Sequence, residues 1–277
     1  MSKTLLIDGD LYAYQTAAAE QKAYEWEEGQ WTFTADAVQG AENLDMALEH
    51  FAEHLGASKI VVMISDKENW RKEVLPSYKE NRKDVARPLI LPAMLDHLKE
   101  NYECMIRPRL EADDVLGIVA TNKKLYPGRK VIVTADKDLR SVPGWHWNPA
   151  KEGEGQEVQV TLEQADRWFY MQALAGDATD GYYGCPGIGI GRAGKIVADP
   201  VELIPEERKI TRGKNAGTTR TVWNAHPTND VWRCIVSHYE KAGLTEADAL
   251  ATAQVARILR AEDYDFKNKK EILWTPY

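Results

Sequence analysis

The stretch Val131-Ile-Val-Thr-Ala-Asp136 decides the fold. Three branched aliphatic residues with no polar alternation are the pattern of a short strand buried on both faces, as in a parallel sheet covered by helices. Leu5-Leu-Ile-Asp8 and Val61-Val-Met-Ile-Ser-Asp66 repeat the pattern, and each run closes on an aspartate. Thr4–Ile7, Lys59–Ile64 and Lys130–Thr134 are therefore read as strands. Between them, Asn43–Leu55 and Asp113–Leu125 read as helices, the second with Val115, Ile118 and Val119 at helical spacing. Strand–helix–strand alternation predicts an α/β fold: a parallel central sheet with right-handed crossovers, flanked by helices. Trp145–Trp147 and Val158–Thr161 flank a Gly/Glu-rich turn, Lys151–Gln156, and read as an edge hairpin. Thr161 followed by Gln164 is a capping-box signature for a helix running to Ala175.

Past Gly176 the character changes. Gly and Pro cluster through Cys185–Gly194, a polar basic loop is expected at Arg208–Arg220, and the remainder looks helical. Thr245-Glu-Ala-Asp248 would start a helix reaching about Arg260. The expected organisation is an α/β core over residues 1–175 and a helical region over 176–277.

At 277 residues, 44% hydrophobic and 28% charged, with a mean hydropathy of −0.48, the composition is that of a globular chain rather than a disordered one. The aliphatic run Ile60–Ile64 is far short of the roughly 20 residues a membrane span needs. The apolar run before Asp8 is only the three residues Leu5–Ile7, which does not resemble a signal peptide. Cys104, Cys185 and Cys234 are odd in number and scattered, which argues against a disulfide framework or a thiolate metal site. A cytoplasmic protein is expected.

The formal charge of −8 and pI near 5.4 would by themselves argue against a nucleic-acid partner. The distribution says otherwise. Trp70–Arg87 carries six basic residues against three acidic ones, and Arg208–Arg220 carries five basic residues and no acid.

The acids recur in tight sets. Ligands of open α/β sheets bind beyond the carboxyl ends of the strands, and here three strands deliver Asp8, Asp66 and Asp136 to that edge. Asp138 follows Asp136 by two. Glu111 and Asp114 stand three apart around Asp113 at a helix start, and Asp177 and Asp180 repeat that spacing. Any one of them reads as an N-cap or a turn residue. If they converge, two carboxylates about 5 Å apart repel by about 3 kcal/mol at an effective dielectric of about 20. Such a cluster needs bound cations or strongly raised pKa values, and all-oxygen ligation suits Mg²⁺ or Mn²⁺ rather than zinc. A pair of such ions activates water for phosphodiester cleavage.

The run Asp66-Lys-Glu-Asn-Trp-Arg-Lys-Glu-Val-Leu-Pro-Ser-Tyr-Lys-Glu-Asn-Arg82, with Glu111-Ala-Asp-Asp114, Thr134-Ala-Asp-Lys-Asp-Leu139 and Gly176-Asp-Ala-Thr-Asp-Gly181, resembles the 5′-nuclease (flap endonuclease) superfamily over residues 4–198. Lys209-Ile-Thr-Arg-Gly-Lys-Asn-Ala-Gly217 and Ala256-Arg-Ile-Leu-Arg260 are similar to the short 5′-to-3′ exonucleases of T-seven-like bacteriophages. The resemblance implies a first metal around Asp8, Asp66, Glu111 and Asp113. It implies a second around Asp113, Asp136, Asp138 and Asp180, with Asp114 and Asp177 in outer positions. Asp10 is an additional acid, as readily an N-cap as a metal-linked group.

The resemblance further implies a helical gateway after Asp66, in which Lys79 and Arg82 stabilise the scissile phosphate and Tyr78 stacks on a base. Arg71 and Lys72 would contact phosphate, or with Lys83 and Arg87 form a solvated helix face. Pro76 breaks the would-be gateway helix. Cys185-Pro-Gly-Ile-Gly-Ile-Gly-Arg-Ala-Gly194 resembles a helix–hairpin–helix that grips duplex DNA through the backbone of Gly187, Gly189 and Gly191, with charge from Arg192 and Lys195 and a monovalent ion such as K⁺. The same stretch formally matches a dinucleotide fingerprint, but no strand precedes it. His50-Phe-Ala-Glu-His54 fits an inverted zinc-protease motif, yet both histidines suit a solvated helix face. Trp70 suits either packing or base stacking.

The expected function is 5′-to-3′ hydrolysis of duplex DNA from a 5′ end or nick, with RNA–DNA hybrids as a further substrate. The alternatives are a structure-specific flap endonuclease and a non-catalytic metal- and DNA-binding module.

Overall fold

The computed structural model describes residues 2–151, 156–215 and 217–276. The chain forms two compact units that interleave in sequence. The first takes the residues up to Trp70, Asp84–Ala165 and Ile258–Ile272. The second takes Arg71–Lys83, Asp166–Arg257 and the residues from Leu273 onward.

The first unit is built on a six-stranded sheet: Lys3–Asp8 (β1), Lys59–Met63 (β2), Cys104–Met105 (β3), Arg129–Val133 (β4), Gly144–Trp147 (β5) and Val158–Val160 (β6), in the order β3-β2-β1-β4-β5-β6. β1 lies centrally and pairs in parallel with both neighbours, Asp8 standing beside Met63 and Ile7 beside Val133. Leu5, Leu6 and Ile7 are all fully buried, as a strand covered on both faces requires. Leu5, Ile7, Val62, Val131 and Val133 pack under the helices Gly9–Glu20 (α1), Ala37–Leu55 (α2) and Leu91–Asn101 (α3). Helix Ala112–Thr121 (α4) packs against β1, β2 and β4. β6 runs antiparallel on β5 and makes the expected edge hairpin, although residues 152–155 of its turn lie outside the described residues.

Gly9 shows how tightly β1 hands over to α1. A Cβ there would lie 2.6 Å from the Met63 carbonyl oxygen, so only glycine admits that approach of helix to strand. One element has no counterpart in the sequence reading. Lys22–Glu27 and Gln30–Thr34 form an exposed hairpin carrying Tyr24, Trp26, Trp31 and Phe33.

The second unit is helical around an aromatic core, in which Trp274 makes edge contacts at 5.1 Å with both Phe169 and Trp232. Its helices include Ile190–Ala198, Val231–Lys241 and Glu246–Ala256, the last opened by the Thr245/Asp248 capping box. The basic loop expected at Arg208–Arg220 is present over its middle, but its two ends, Arg208–Lys209 and Thr219–Arg220, belong to an antiparallel ribbon, Val201–Lys209 with Thr219–Pro227. Alternating exposed residues such as Glu206, Arg208 and Thr221 are polar enough to read as loop, yet the strands pair over nine residues each. Among the described residues no helix is long and apolar enough to cross a membrane.

Candidate active site

In the first unit, parallel pairing brings the ends of β1, β2 and β4 to one edge, and with them the acids that close each run. Asp8 is 5% exposed and starts α1: its Oδ1 accepts the Leu11 amide at 3.1 Å and its Oδ2 the Thr134 hydroxyl at 3.2 Å. Burial raises its pKa to about 7, with the charges of Asp10 and Asp136 adding to the rise and the two hydrogen bonds opposing it. Asp136 sits at the next strand end, its amide donating to Thr134 Oγ1 (3.0 Å) and its Oδ1 accepting the Asp138 amide (2.8 Å). Thr134 therefore links two acids through one hydroxyl. The sequence signal for this link is a hydroxyl two residues before Asp136.

Asp66 is oriented differently. Its Oδ2 accepts the Arg109 amide at 2.7 Å, and this bond, with those from the Lys67 and Glu68 amides, holds its carboxyl below the usual aspartate range. Asp10 accepts the Ser65 amide at 3.1 Å and so ties the first turn of α1 to the loop after β2. Ser65 Oγ in turn accepts the Ala112 amide at the start of α4, next to Glu111 and Asp113. Asp114 is fully buried: it accepts the Trp70 indole N–H (3.2 Å), the Glu111 amide (3.4 Å) and the Leu259 amide (3.1 Å). Trp70 is 1% exposed, so packing rather than base stacking is its place.

Among the described residues, no three His, Cys, Asp or Glu side chains are gathered into a finished cage around one point. The donor chemistry nevertheless fits a hard cation. The edge offers carboxylate oxygens, and one of them, Asp8, is buried where neighbouring negative charge resists its ionisation.

Asp177 and Asp180 belong to the second unit. Asp177 caps a turn by accepting the Thr179 amide at 2.7 Å. Asp180 is paired with Arg82, lies 3.6 Å from Lys79 Nζ and accepts the Tyr78 hydroxyl at 3.3 Å. The Lys79 amide also donates to the Asp180 carbonyl at 2.8 Å, so Lys79 and Arg82 are seated together.

Three expectations for this segment are corrected. Tyr78 is 3% exposed and packs with Tyr182, 6.3 Å between ring centroids, so it is not presented to stack on a base. Arg71 is 2% exposed: its guanidinium donates to the carbonyls of Val255 and Arg257, both at 2.8 Å, which makes it a structural cation. No gateway helix forms, because Arg71–Val74 is a single α-turn before Pro76 and Glu80–Arg82 a single 3₁₀ turn, with Lys79 left-handed between them. Lys72 is exposed, as expected.

The Gly-rich stretch also departs in part. Helix Ile190–Ala198 follows it, but a two-residue ladder, Gly176–Asp177 with Tyr182–Tyr183, precedes it where a helix was expected. A Cβ at Gly187, Gly189 or Gly191 would meet nothing within 4 Å, so this backbone is open to a ligand. Arg192 folds back on the Gly187 carbonyl (3.3 Å), and Lys195 is exposed. His50 and His54 are exposed, with His54 stacked on Trp147.

Residues 3–158 match the model of the 5′–3′ exonuclease N-terminal resolvase-like domain, more than half of the chain. The chain belongs to the 5′–3′ exonuclease family. This exonuclease is 36% identical to the exodeoxyribonuclease of Enterobacteria phage T3, over 98% of its own length and 92% of the relative's. It is 35% identical to the exonuclease of Escherichia phage T7, over 98% and 93%. Its fold is similar to that of a bacteriophage T5 flap endonuclease solved with DNA and metal ions, with a TM-score of 0.53 and 16% identity over 71% of this chain and 74% of that one. The exonuclease is thus an enzyme whose carboxylate edge lies within the family-defining domain.

Proposed function

We propose that the exonuclease hydrolyses phosphodiester bonds of duplex DNA from a 5′ end, using divalent cations held at the carboxylate edge of the first unit. The observation that carries this reading is the edge itself: Asp8, Asp66 and Asp136 close three adjacent parallel strands and are held there by amide and hydroxyl donors. The phage relatives bear the names exodeoxyribonuclease and exonuclease, and the T5 protein was solved with DNA and metal ions, which supports the same substrate and cofactor class.

Asp8, Asp66, Glu111 and Asp113 would hold one Mg²⁺ or Mn²⁺, and Asp113, Asp136 and Asp138 would contribute to a second. Such ions lower the pKa of bound water and stabilise the leaving oxygen. Thr134 donates its hydroxyl to the Asp8 carboxylate and accepts the Asp136 amide, and Ser65 joins the loop after β2 to the start of α4. Lys79 and Arg82, seated on Asp180, supply positive charge for the phosphate as negative charge grows in the transition state. The open backbone at Gly187–Gly191 suits phosphate contacts that read no base, which would admit RNA–DNA hybrids as well as DNA.

The test is product analysis on 5′-labelled duplex, nicked and flap DNA, with Mg²⁺ and with EDTA. Metal-dependent release of mononucleotides or short fragments is expected; release of an intact flap would favour a flap endonuclease. A chain inert on all three substrates with both Mg²⁺ and Mn²⁺ would leave the non-catalytic binding module.

A further inference from the structure

The cations between Arg208 and Arg220 have no part in the chemistry above, and the fold places them on an element of their own. The ribbon Val201–Lys209/Thr219–Pro227 pairs without interruption from Val201 beside Pro227 to Lys209 beside Thr219. Its root is anchored. Leu203 is buried, its amide donates to Ser237 Oγ at 2.9 Å, and Glu202 pairs with Arg233 at 2.6 Å. Beyond the root, Ile204–Lys209 are all exposed, which at about 3.3 Å per residue is about 20 Å of exposed strand. The end is closed by backbone bonds between Ile210 and both Thr218 and Gly217, each 2.8 Å.

Charge is sorted along this ribbon. Glu202, Glu206 and Glu207 lie towards the root, and Arg208, Lys209, Arg212, Lys214 and Arg220 lie towards the end. Arg208 is held by Glu206 at 2.9 Å. Arg220 stands directly opposite Arg208 in the register, a like-charge cross-strand pair that destabilises a ribbon. Among the described residues, Lys209, Arg212, Lys214 and Arg220 take part in no ion pair. Cations concentrated at an exposed end, two of them face to face, suit a polyanion that would offset their repulsion.

We propose that this ribbon is a second duplex-DNA contact, engaging phosphates with Lys209, Arg212, Lys214 and Arg220 separately from the Gly-rich backbone before Ile190–Ala198. The inference rests on the DNA reading above. A two-stranded ribbon is of a size the major groove admits, and its cations can meet the phosphates flanking that groove. The ribbon follows Ile190–Ala198 after only Asp199 and Pro200, so the open glycine backbone and the ribbon are joined by one nine-residue helix, about 13 Å long. The contacts are to phosphate, so the ribbon lengthens the duplex footprint without adding sequence preference.

The test replaces Lys209, Arg212, Lys214 and Arg220 together by serine in the full chain. Binding to a 30-base-pair duplex (about three turns) is followed by fluorescence anisotropy from about 50 to about 300 mM KCl, with Ca²⁺ in place of Mg²⁺. A control replaces Lys267, Lys269 and Lys270 by serine, removing surface charge from the first unit. Each neutralised phosphate contributes about 0.9 to the slope of log affinity against log salt. The ribbon variant should therefore show a slope shallower by about 2 to 4 and binding at low salt weaker by about 10- to 100-fold, with the control close to the native chain. An unchanged slope in the ribbon variant, an equal change in the control, or a loss confined to single-stranded DNA would overturn the proposal. A native chain that neither binds nor degrades duplex DNA would instead overturn the exonuclease reading on which it rests.

Discussion

Three strand-end acids of the first unit and Asp180 of the second are held in opposite ways. In the first, Asp8, Asp66 and Asp136 are oriented chiefly by neutral donors: the amides of Leu11, Arg109 and Asp138 and the hydroxyl of Thr134. In the second, Asp180 is oriented by Lys79 and Arg82. A neutral donor fixes a carboxylate in place and leaves its net charge for something else to meet. An ion pair fixes it by cancelling that charge. On the proposed function, the difference would separate acids that meet a divalent cation from an acid that positions two cations for a phosphate.

The sharpest way to break this comparison is to remove one acid of each kind. Asp136→Ala should lower the single-turnover rate on 5′-labelled duplex by about 10³-fold or more, since several kcal/mol of cation-derived stabilisation depend on such a ligand. Duplex affinity should stay within a few-fold of native. Asp180→Ala should cost less, about 10- to 100-fold, because Lys79 and Arg82 lose their seat but keep their charge. Equal losses in the two variants would mean that the manner of holding the carboxylate has no functional consequence.

A second contrast separates packing from contact within Arg71–Lys83. Tyr78→Ala removes a buried ring from beside Tyr182 and should destabilise the protein by about 3–5 kcal/mol, read as a shift in the urea midpoint. Tyr78→Phe keeps the ring, loses the hydroxyl bond to Asp180 and should cost about 1 kcal/mol. Duplex affinity should be unchanged in Tyr78→Phe. A clear loss of affinity there without loss of stability would restore the base-contact role that burial argues against.

The same contrast explains what was legible in advance. The core strands were readable because Leu5–Ile7, Val61–Val62 and Val131–Val133 are apolar on both faces, and a run of that kind has few alternatives in so polar a chain. The strand-end acids were readable because parallel pairing of β1 with β2 and β4 sends those three strand ends to one edge. The environment of individual side chains was not. Arg71 and Lys72 are adjacent and chemically alike, yet the first is buried against the Val255 and Arg257 carbonyls, 184 and 186 residues away in sequence. No local pattern encodes such a pairing. The hairpin Lys22–Thr34 has a local signal: Tyr24 and Trp26, then Trp31 and Phe33, alternate on either side of Gly29. The ribbon was harder, since both of its faces carry polar residues over most of its length and so lack the one-sided alternation that marks a half-buried strand.

The smallest effect concerns pH, and it asks whether the units share acid sensitivity. Each carries an enclosed histidine, His146 in the first and His238 in the second. Burial holds both imidazoles below the usual histidine range, against backbone hydrogen bonds, to the Val142 and Cys234 carbonyls, that favour the charged form. A histidine depressed in the folded state is held neutral there and takes up its proton more readily once unfolded. Its contribution to stability is therefore complete above the unfolded pKa of about 6.5 and is lost as pH falls below it. With EDTA present, the urea midpoint should fall between pH 7 and pH 5. His146→Gln and His238→Gln should each reduce that fall, by less than the double variant does, because the two sites sit in separate cores and their effects should add. If the fall is unchanged in the double variant, acid sensitivity lies with the carboxylates. If only one single variant moves it, one unit alone governs acid unfolding.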